Sequence, residues 1–368
     1  MKRLSIFIVG IMVAVVAMSR TFDMKQLGAD AKGIKSCTEL INRTIEKAAS
    51  EGGGTIYFPV GTYLTATIHM KSNITLYLES GAVLRFSDKF EDYLPFVTLR
   101  WEGTVMKSLS PLIYAHSADN VTISGRGTLD GNGLKWWLWE FDTRKVIKEN
   151  GGKLPTLDKL QQMWVDANKD LEISDYYKPS LERRMFRPPF IQFYECTNIL
   201  IENVKIINSP FWTINPAFCD NVTIHGVTIN NPSSNPKGPN TDGINPSSCR
   251  NVRISDCFIS VGDDCITIKS GRDADGRKYG KACENITITN CIMLSGHGGV
   301  VIGSEMSGGV KRVAISNCVF DGTNAGIRLK ASRGRGGVVE DIRVDNIVMK
   351  NILSLIHISE PTRLALIS

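Results

Sequence analysis

The chain spells DNVTIHG at 220–226, RNVRISD at 250–256 and ENITITN at 284–290. Each phrase opens on a polar residue and Asn, alternates β-branched with polar positions, and ends at a turn. It recurs as SNITLYL at 72, DNVTISG at 119, TNILIEN at 197, KRVAISN at 311 and EDIRVDN at 340. From 197 onward, successive copies start 23, 30, 34, 27 and 29 residues apart. A period of that length, built of short strands without helical spacing, predicts a solenoid. The expected fold is all-β, a right-handed parallel β-helix.

The cysteines keep the same phase. Cys196, Cys219, Cys249 and Cys283 precede the repeat's Asn by two residues, and Cys257, Cys291 and Cys318 follow that position by six. Stacked coils would bring such residues into columns about 4.8 Å apart with parallel side chains, a poor geometry for disulfides. Buried, reduced ladders are expected, and no CxxC or His pairing suggests a metal. Asn73, Asn120, Asn221 and Asn285 match glycosylation acceptors, yet their phase reads as an asparagine ladder at the coil turns. A single helix at about Cys37–Ser50, stopped by Gly52–Gly54, would cap the open end of the solenoid. Residues 135–186 break the repeat and predict a long loop or small helical excursion. Within it, Trp136, Trp137 and Trp139 read equally well as core or as platforms for stacking sugar.

Composition describes a globular chain: 368 residues, 42% hydrophobic and 22% charged, with 33 glycines for tight turns. Residues 1–19 carry two basic residues, an apolar run from Leu4 to Met18 and a small-residue site at Ala17–Ser19. That pattern predicts a cleaved signal peptide and export to the periplasm or outside the cell, with an uncleaved anchor as the alternative. No other stretch is long and apolar enough to span a bilayer. The formal charge of +6 suits an acidic partner, and nothing in the pattern suggests nucleic acid. A monomer is expected.

Aligning the coils on their cysteines superposes Asp263, His297 and Asn324, then Ile266, Val300 and Ile327, then Lys269, Gly303 and Lys330. One coil earlier, NTDGIN matches DDCIT, which sets Asp242 level with Asp264. Asp242, the Asp263–Asp264 pair, His297 and the Arg328/Lys330 pair therefore fall in nearly one column on successive coils. Three carboxylates so close cannot all keep ordinary pKa values, so at least one is expected to stay protonated. A protonated acid facing ionised ones is the arrangement for glycosidic hydrolysis, and room for a water between them favours inversion. Two bases on one strand face offer donors to a substrate carboxylate. Calcium on the acidic pair is the competing reading; His297 and the two bases weigh against it.

In order, NTD (240–242), GDD (262–264), GHG (296–298) and RLK (328–330) resemble the four motifs of the family 28 glycoside hydrolases, the polygalacturonases. The resemblance runs from about Phe22 to Lys350, with RLK in place of the commoner RIK. It implies a metal-independent, cofactor-free inverting enzyme acting on pectin or polygalacturonate, an acidic plant polysaccharide. It further implies Asp263 as general acid, Asp242 and Asp264 holding the attacking water, and His297 supporting the acid. Arg328 and Lys330 would grip a galacturonate carboxylate, with Asn240 a subsite contact. GSEMSGGV (303–310) and the 135–186 insertion resemble bacterial members that attack chain ends. Alternatives are a hydrolase of rhamnogalacturonan or another uronate chain, a lyase on the same scaffold, or a non-catalytic β-helix that binds acidic polysaccharide. After Ile352, LSLIHISEPTR (353–363) resembles a translated transposon-type sequencing adapter, so residues 351–368 are expected to be a non-native tail. The catalytic domain would then be 20–350, with its last coils and a tyrosine usual beside the family's cleft missing.

Overall fold

Stacking places equivalent positions of consecutive coils side by side, and the register follows the repeat read from the sequence. In the computed structural model, which describes residues 20–152, 156–171 and 187–359, Asp119 pairs with Thr197, Thr197 with Asp220, and Asp220 with Arg250. Arg250 then pairs with Glu284, Glu284 with Lys311, and Lys311 with Glu340, all parallel. The phrases at 119 to 340 are thus one column of strands in a right-handed parallel β-helix. The expected signal peptide, residues 172–186 of the insertion and residues 360–368 lie outside the described residues. Among the described ones, no helix is long and apolar enough to cross a membrane.

Alternation decides which side of each strand is buried. Val222, Ile224, Val252, Ile254, Ile286, Ile288, Val313 and Ile315 all point into the solenoid, while Arg253 and Thr287 face out. Each fully buried Val or Ile is worth ~1.5–3 kcal/mol, so a coil with a few such positions secures itself against its neighbours. The ladder asparagines sit where the backbone turns. Asn73, Asn120, Asn198, Asn221, Asn251 and Asn285 all have φ between 53° and 62°. Asn tolerates this left-handed region because its short amide hydrogen-bonds locally. Here the amide also bridges coils: Asn120 Nδ2 donates to Asn73 Oδ1 at 3.1 Å, Asn221 to Asn198 at 2.6 Å, and Asn285 to Asn251 at 3.0 Å. All nine cysteines are buried free thiols. Burial pushes Cys219, Cys265 and Cys283 well above the ordinary thiol range, which keeps them unreactive.

Helix α1 (Thr38–Ser50) buries Ile41, Thr44, Ile45 and Ala48, one stripe at helical spacing, against the first strands. It ends where Gly53 N donates back to Ala48 O at 2.9 Å, as the glycine run predicted. The insertion contains α2 (Leu134–Glu149) and α3 (Lys159–Ala167). Here the sugar-stacking reading of the tryptophans is corrected. Trp136 is fully buried, stacked on Phe90 at 4.1 Å and edge-on to Tyr93 at 5.6 Å. Trp137 is buried with its Nε1 donating to Ser209 O at 2.9 Å. Trp139 is partly buried, edge-on to Phe90 at 5.7 Å. These rings glue α2 to the coil wall, since a helix laid over a β-helix needs an apolar face of its own. In the stretch read as an adapter-like tail, Ser354–Ser359 forms a strand beside Thr323–Lys330, pairing Ala325 with Ser354 and Lys330 with Ser359. Leu355, Ile356 and Ile358 on that strand are exposed.

Candidate active site

Four parallel connections align the acidic column. Ile214 bridges Ile244, Ile244 bridges Ile266, and Ile266 pairs with Val300, which pairs with Ile327. Asp242 and Asp264 precede Ile244 and Ile266 by two residues, so they lie one above the other. Asp263 and His297 belong to adjacent coils, and His297 N donates to Asp263 O at 2.8 Å. The column inferred from cysteine phasing is therefore the one that forms. Two glycines allow it. A Cβ on Gly262 would lie 2.2 Å from Gly238 O, so the GDD turn passes the loop before NTD with no room for a side chain. A Cβ on Gly298 would sit 2.4 Å from Val301 Cγ2 and 3.3 Å from Asp264 Oδ1. Gly298→Ala should push Asp264 out of line and lower kcat by ~10²-fold, since small misplacements of reacting groups cost that much. Steady-state kinetics at unchanged thermal stability would check it, and wild-type turnover would refute it.

Side-chain geometry gives each acid its own partner. His297 Nδ1 lies 2.9 Å from Asp263 Oδ1, and Asn240 Nδ2 approaches Asp263 Oδ2 at 3.5 Å. Lys330 Nζ donates to Asp264 Oδ2 at 2.6 Å. Asp242 is buried and accepts from Asn245 Nδ2 at 3.1 Å and from Thr267 Oγ1 at 3.5 Å. One oxygen of Asp263, one of Asp264 and a ring nitrogen of His297 lie within 4.8 Å of each other. His297 and Lys330 are the hydrogen-bond partners of this acidic pair.

The proton expected among the acids falls on Asp242. Burial, then the charge of Asp263, pushes its carboxyl well above the usual range. Burial also pushes Asp263 up, but the hydrogen bond from His297 and the cations Lys330 and Lys269 outweigh it and hold Asp263 low. Asp242 and Asp263 are thus pushed in opposite directions, the first up and the second down.

Lys330 Nζ spends one of its three donors on Asp264, and Arg328 Nε is buried without a hydrogen-bond partner among the described residues. Asn240 is fixed by two arginines: Arg187 Nη2 donates to its Oδ1 at 2.8 Å and Arg144 Nη2 at 3.2 Å. Arg144 Nε donates at 2.7 Å to the buried Glu140, which Arg187 also approaches at 3.7 Å. The site opens into a cleft of ≈ 320 Å³ between Asp263, His297 and Asn240 on one side and Phe141 and Arg144 of α2 on the other, with Lys237 at the rim. Sequence reasoning missed Phe141, Arg144, Lys237 and Arg187. Lys237 alone carried a signal, three residues before Asn240 in a Pro/Gly turn.

A sequence profile described as "Glycosyl hydrolases family 28" matches residues 176–361. Among solved structures, a hyperthermoactive exopolygalacturonase from Thermotoga maritima superposes with a TM-score of 0.79 at 39% identity, covering 92% of this chain and 76% of that one. The chain belongs to glycosyl hydrolase family 28. Within the family, it is 34% identical to a probable polygalacturonase of Vitis vinifera over 84% of this chain and 56% of the relative, so it spans little more than half of that protein. A polygalacturonase from Erwinia carotovora has a TM-score of 0.70 at 25% identity, covering 89% and 78%. Residues 21–99 match a second profile, "Rhamnogalacturonase A/epimerase, pectate lyase-like". The matched segment 176–361 contains the whole column of acids and bases described above.

Proposed function

We propose that the chain is an exported polygalacturonase that hydrolyses α-1,4-galacturonosyl linkages with inversion, from the chain end. The observation that carries this reading is the cluster itself: Asp242, Asp263 and Asp264 meet on adjacent coils, Asp242 pushed up and Asp263 held low, and Asp263 lines an open cleft. In the reactive form the proton stands on Asp263, which gives it to the glycosidic oxygen as the C1–O bond breaks. Water held by Asp242 and Asp264 attacks C1 from the opposite face and releases its proton to them, turning an α linkage into a β product. That leaves Asp263 ionised and Asp242 protonated, which is the distribution of the resting site. The resting enzyme is thus in the protonation state that turnover leaves behind. Arg328 and Lys330 supply donors for a galacturonate carboxylate, and Lys330 also orients Asp264 through one of its three N–H groups. Phe141, 37% exposed on α2, offers the aromatic face once assigned to the tryptophans, and with Arg144 it closes one side of the cleft. That wall supports attack at chain ends, as does likeness to an exopolygalacturonase.

A proton NMR time course on polygalacturonate tests all three parts. The expected first product is β-galacturonic acid alone. The α-anomer would overturn inversion, longer oligomers would overturn the exo assignment, and unsaturated uronates would replace hydrolysis by elimination.

A further inference from the structure

We propose that Lys237 is a positioning residue that acts through His297 to select which oxygen of Asp263 donates the catalytic proton. This rests on Asp263 being the general acid. Lys237 Nζ lies 2.7 Å from His297 Nε2, and His297 Nδ1 lies 2.9 Å from Asp263 Oδ1. An ammonium offers donors only, so Nε2 must accept. The ring's proton then sits on Nδ1, and Nδ1–H donates to Asp263 Oδ1. With Oδ1 occupied as an acceptor, a proton arriving on Asp263 has one place to go, Oδ2. Asn240 Nδ2 stands 3.5 Å from Oδ2 and is held by the grip of Arg187 and Arg144 on its own Oδ1. Oδ2 is therefore the donating atom, and the relay Lys237–His297–Asp263 sets its choice.

The surrounding charges agree with this assignment. Asp263 and Asp264 lie beside the His297 ring, Lys330 is taken up by Asp264, and Arg144 across the cleft is engaged by Glu140 and Asn240. Lys237 makes the hydrogen bond at Nε2, and it sits on the cleft rim, not inside the column. Its position in the turn NPKGPNTD ties it to Asn240, so one loop orders both neighbours of Asp263.

The chain has five histidines, so selective ¹⁵N-histidine labelling gives a resolvable spectrum, with His297→Asn assigning the signal. The wild-type chain is expected to show His297 protonated at Nδ1 and bare at Nε2. Lys237→Met should give Nε2 a proton and lower kcat roughly tenfold, a fraction of the ~10²–10⁴ available to general acid catalysis, with KM little changed. Lys237→Arg should restore both the spectrum and kcat. An Nε2-protonated His297 in the wild-type chain, or an unaltered spectrum in Lys237→Met, would overturn the proposal. So would a raised KM at unchanged kcat, which would make Lys237 a substrate contact instead. If the spectra behave as expected while no variant, wild type included, cleaves polygalacturonate, the relay stands and the assignment of the reaction falls.

Discussion

Asp263→Asn is expected to lower kcat on polygalacturonate by ~10²–10⁴-fold while leaving substrate affinity nearly unchanged. Asparagine is close to isosteric, so its Oδ1 can still accept from His297 and the turn between Gly262 and Asp264 need not move. What it lacks is the transferable proton. The result separates two classes of protein built on one scaffold. A β-helix that only holds acidic polysaccharide would bind oligogalacturonate equally well before and after the change and would release no product in either case. Rates of reducing-sugar release, paired with calorimetric binding of a galacturonate trimer, distinguish the outcomes. Retention of wild-type turnover by Asp263→Asn would remove Asp263 from the acid's role.

The second large effect concerns stability. Lys269 and Glu305 form a 2.6 Å ion pair with side chains 4% and 9% exposed. Lys269 also lies 4.6 Å above the Trp212 ring and donates to Gly303 O at 3.3 Å. Glu305→Ala should destabilise the fold by about 3–5 kcal/mol, because it strands an ammonium in a dry interior. A pH series gives the sign. Burial raises Glu305, but Lys269 and Arg272 outweigh it and hold its carboxyl far below the ordinary range. Its contribution is therefore complete above the unfolded glutamate value, about 4.3, and drains away as pH falls toward the folded value. Burial lowers Lys269, but Glu305 and Asp242 outweigh it and raise the amine. That contribution is complete below the unfolded lysine value, about 10.4, and disappears as pH climbs past it. Urea midpoints from acid to alkaline pH would show a wide plateau in the wild type and a lower curve in Glu305→Ala. Equal midpoints at neutral pH would mean that the pair adds no stability.

How much of this was legible beforehand follows from the nature of a solenoid. A repeating coil has one register, so phasing Cys257, Cys291 and Cys318 brought Asp263 beside His297, and matching NTDGIN to DDCIT set Asp242 level with Asp264. The cap helix was readable from a local stripe and its glycine stop. The cleft's far wall was not, because α2 has no phase relation to the coils. Nothing in WWLWEF says that Trp136 and Trp137 turn inward while Phe141 faces the acids; only docking on the coil wall decides it. The column of Lys330 was correct, but its hydrogen bond to Asp264 was not legible, because no spacing encodes it.

The asparagine ladder also bears on where the chain can be made. Asn120, Asn221 and Asn285 each lie in an Asn-x-Thr sequence and spend their amide nitrogen on the coil before. That nitrogen is the atom to which an oligosaccharyltransferase attaches sugar, and it does so while the chain is still emerging and unstacked. In a eukaryotic secretory host, a glycan added there would occupy the donor and wedge bulk between adjacent turns of the solenoid. The ladder thus makes bacterial expression, where these sites pass unmodified, the compatible route to the folded chain.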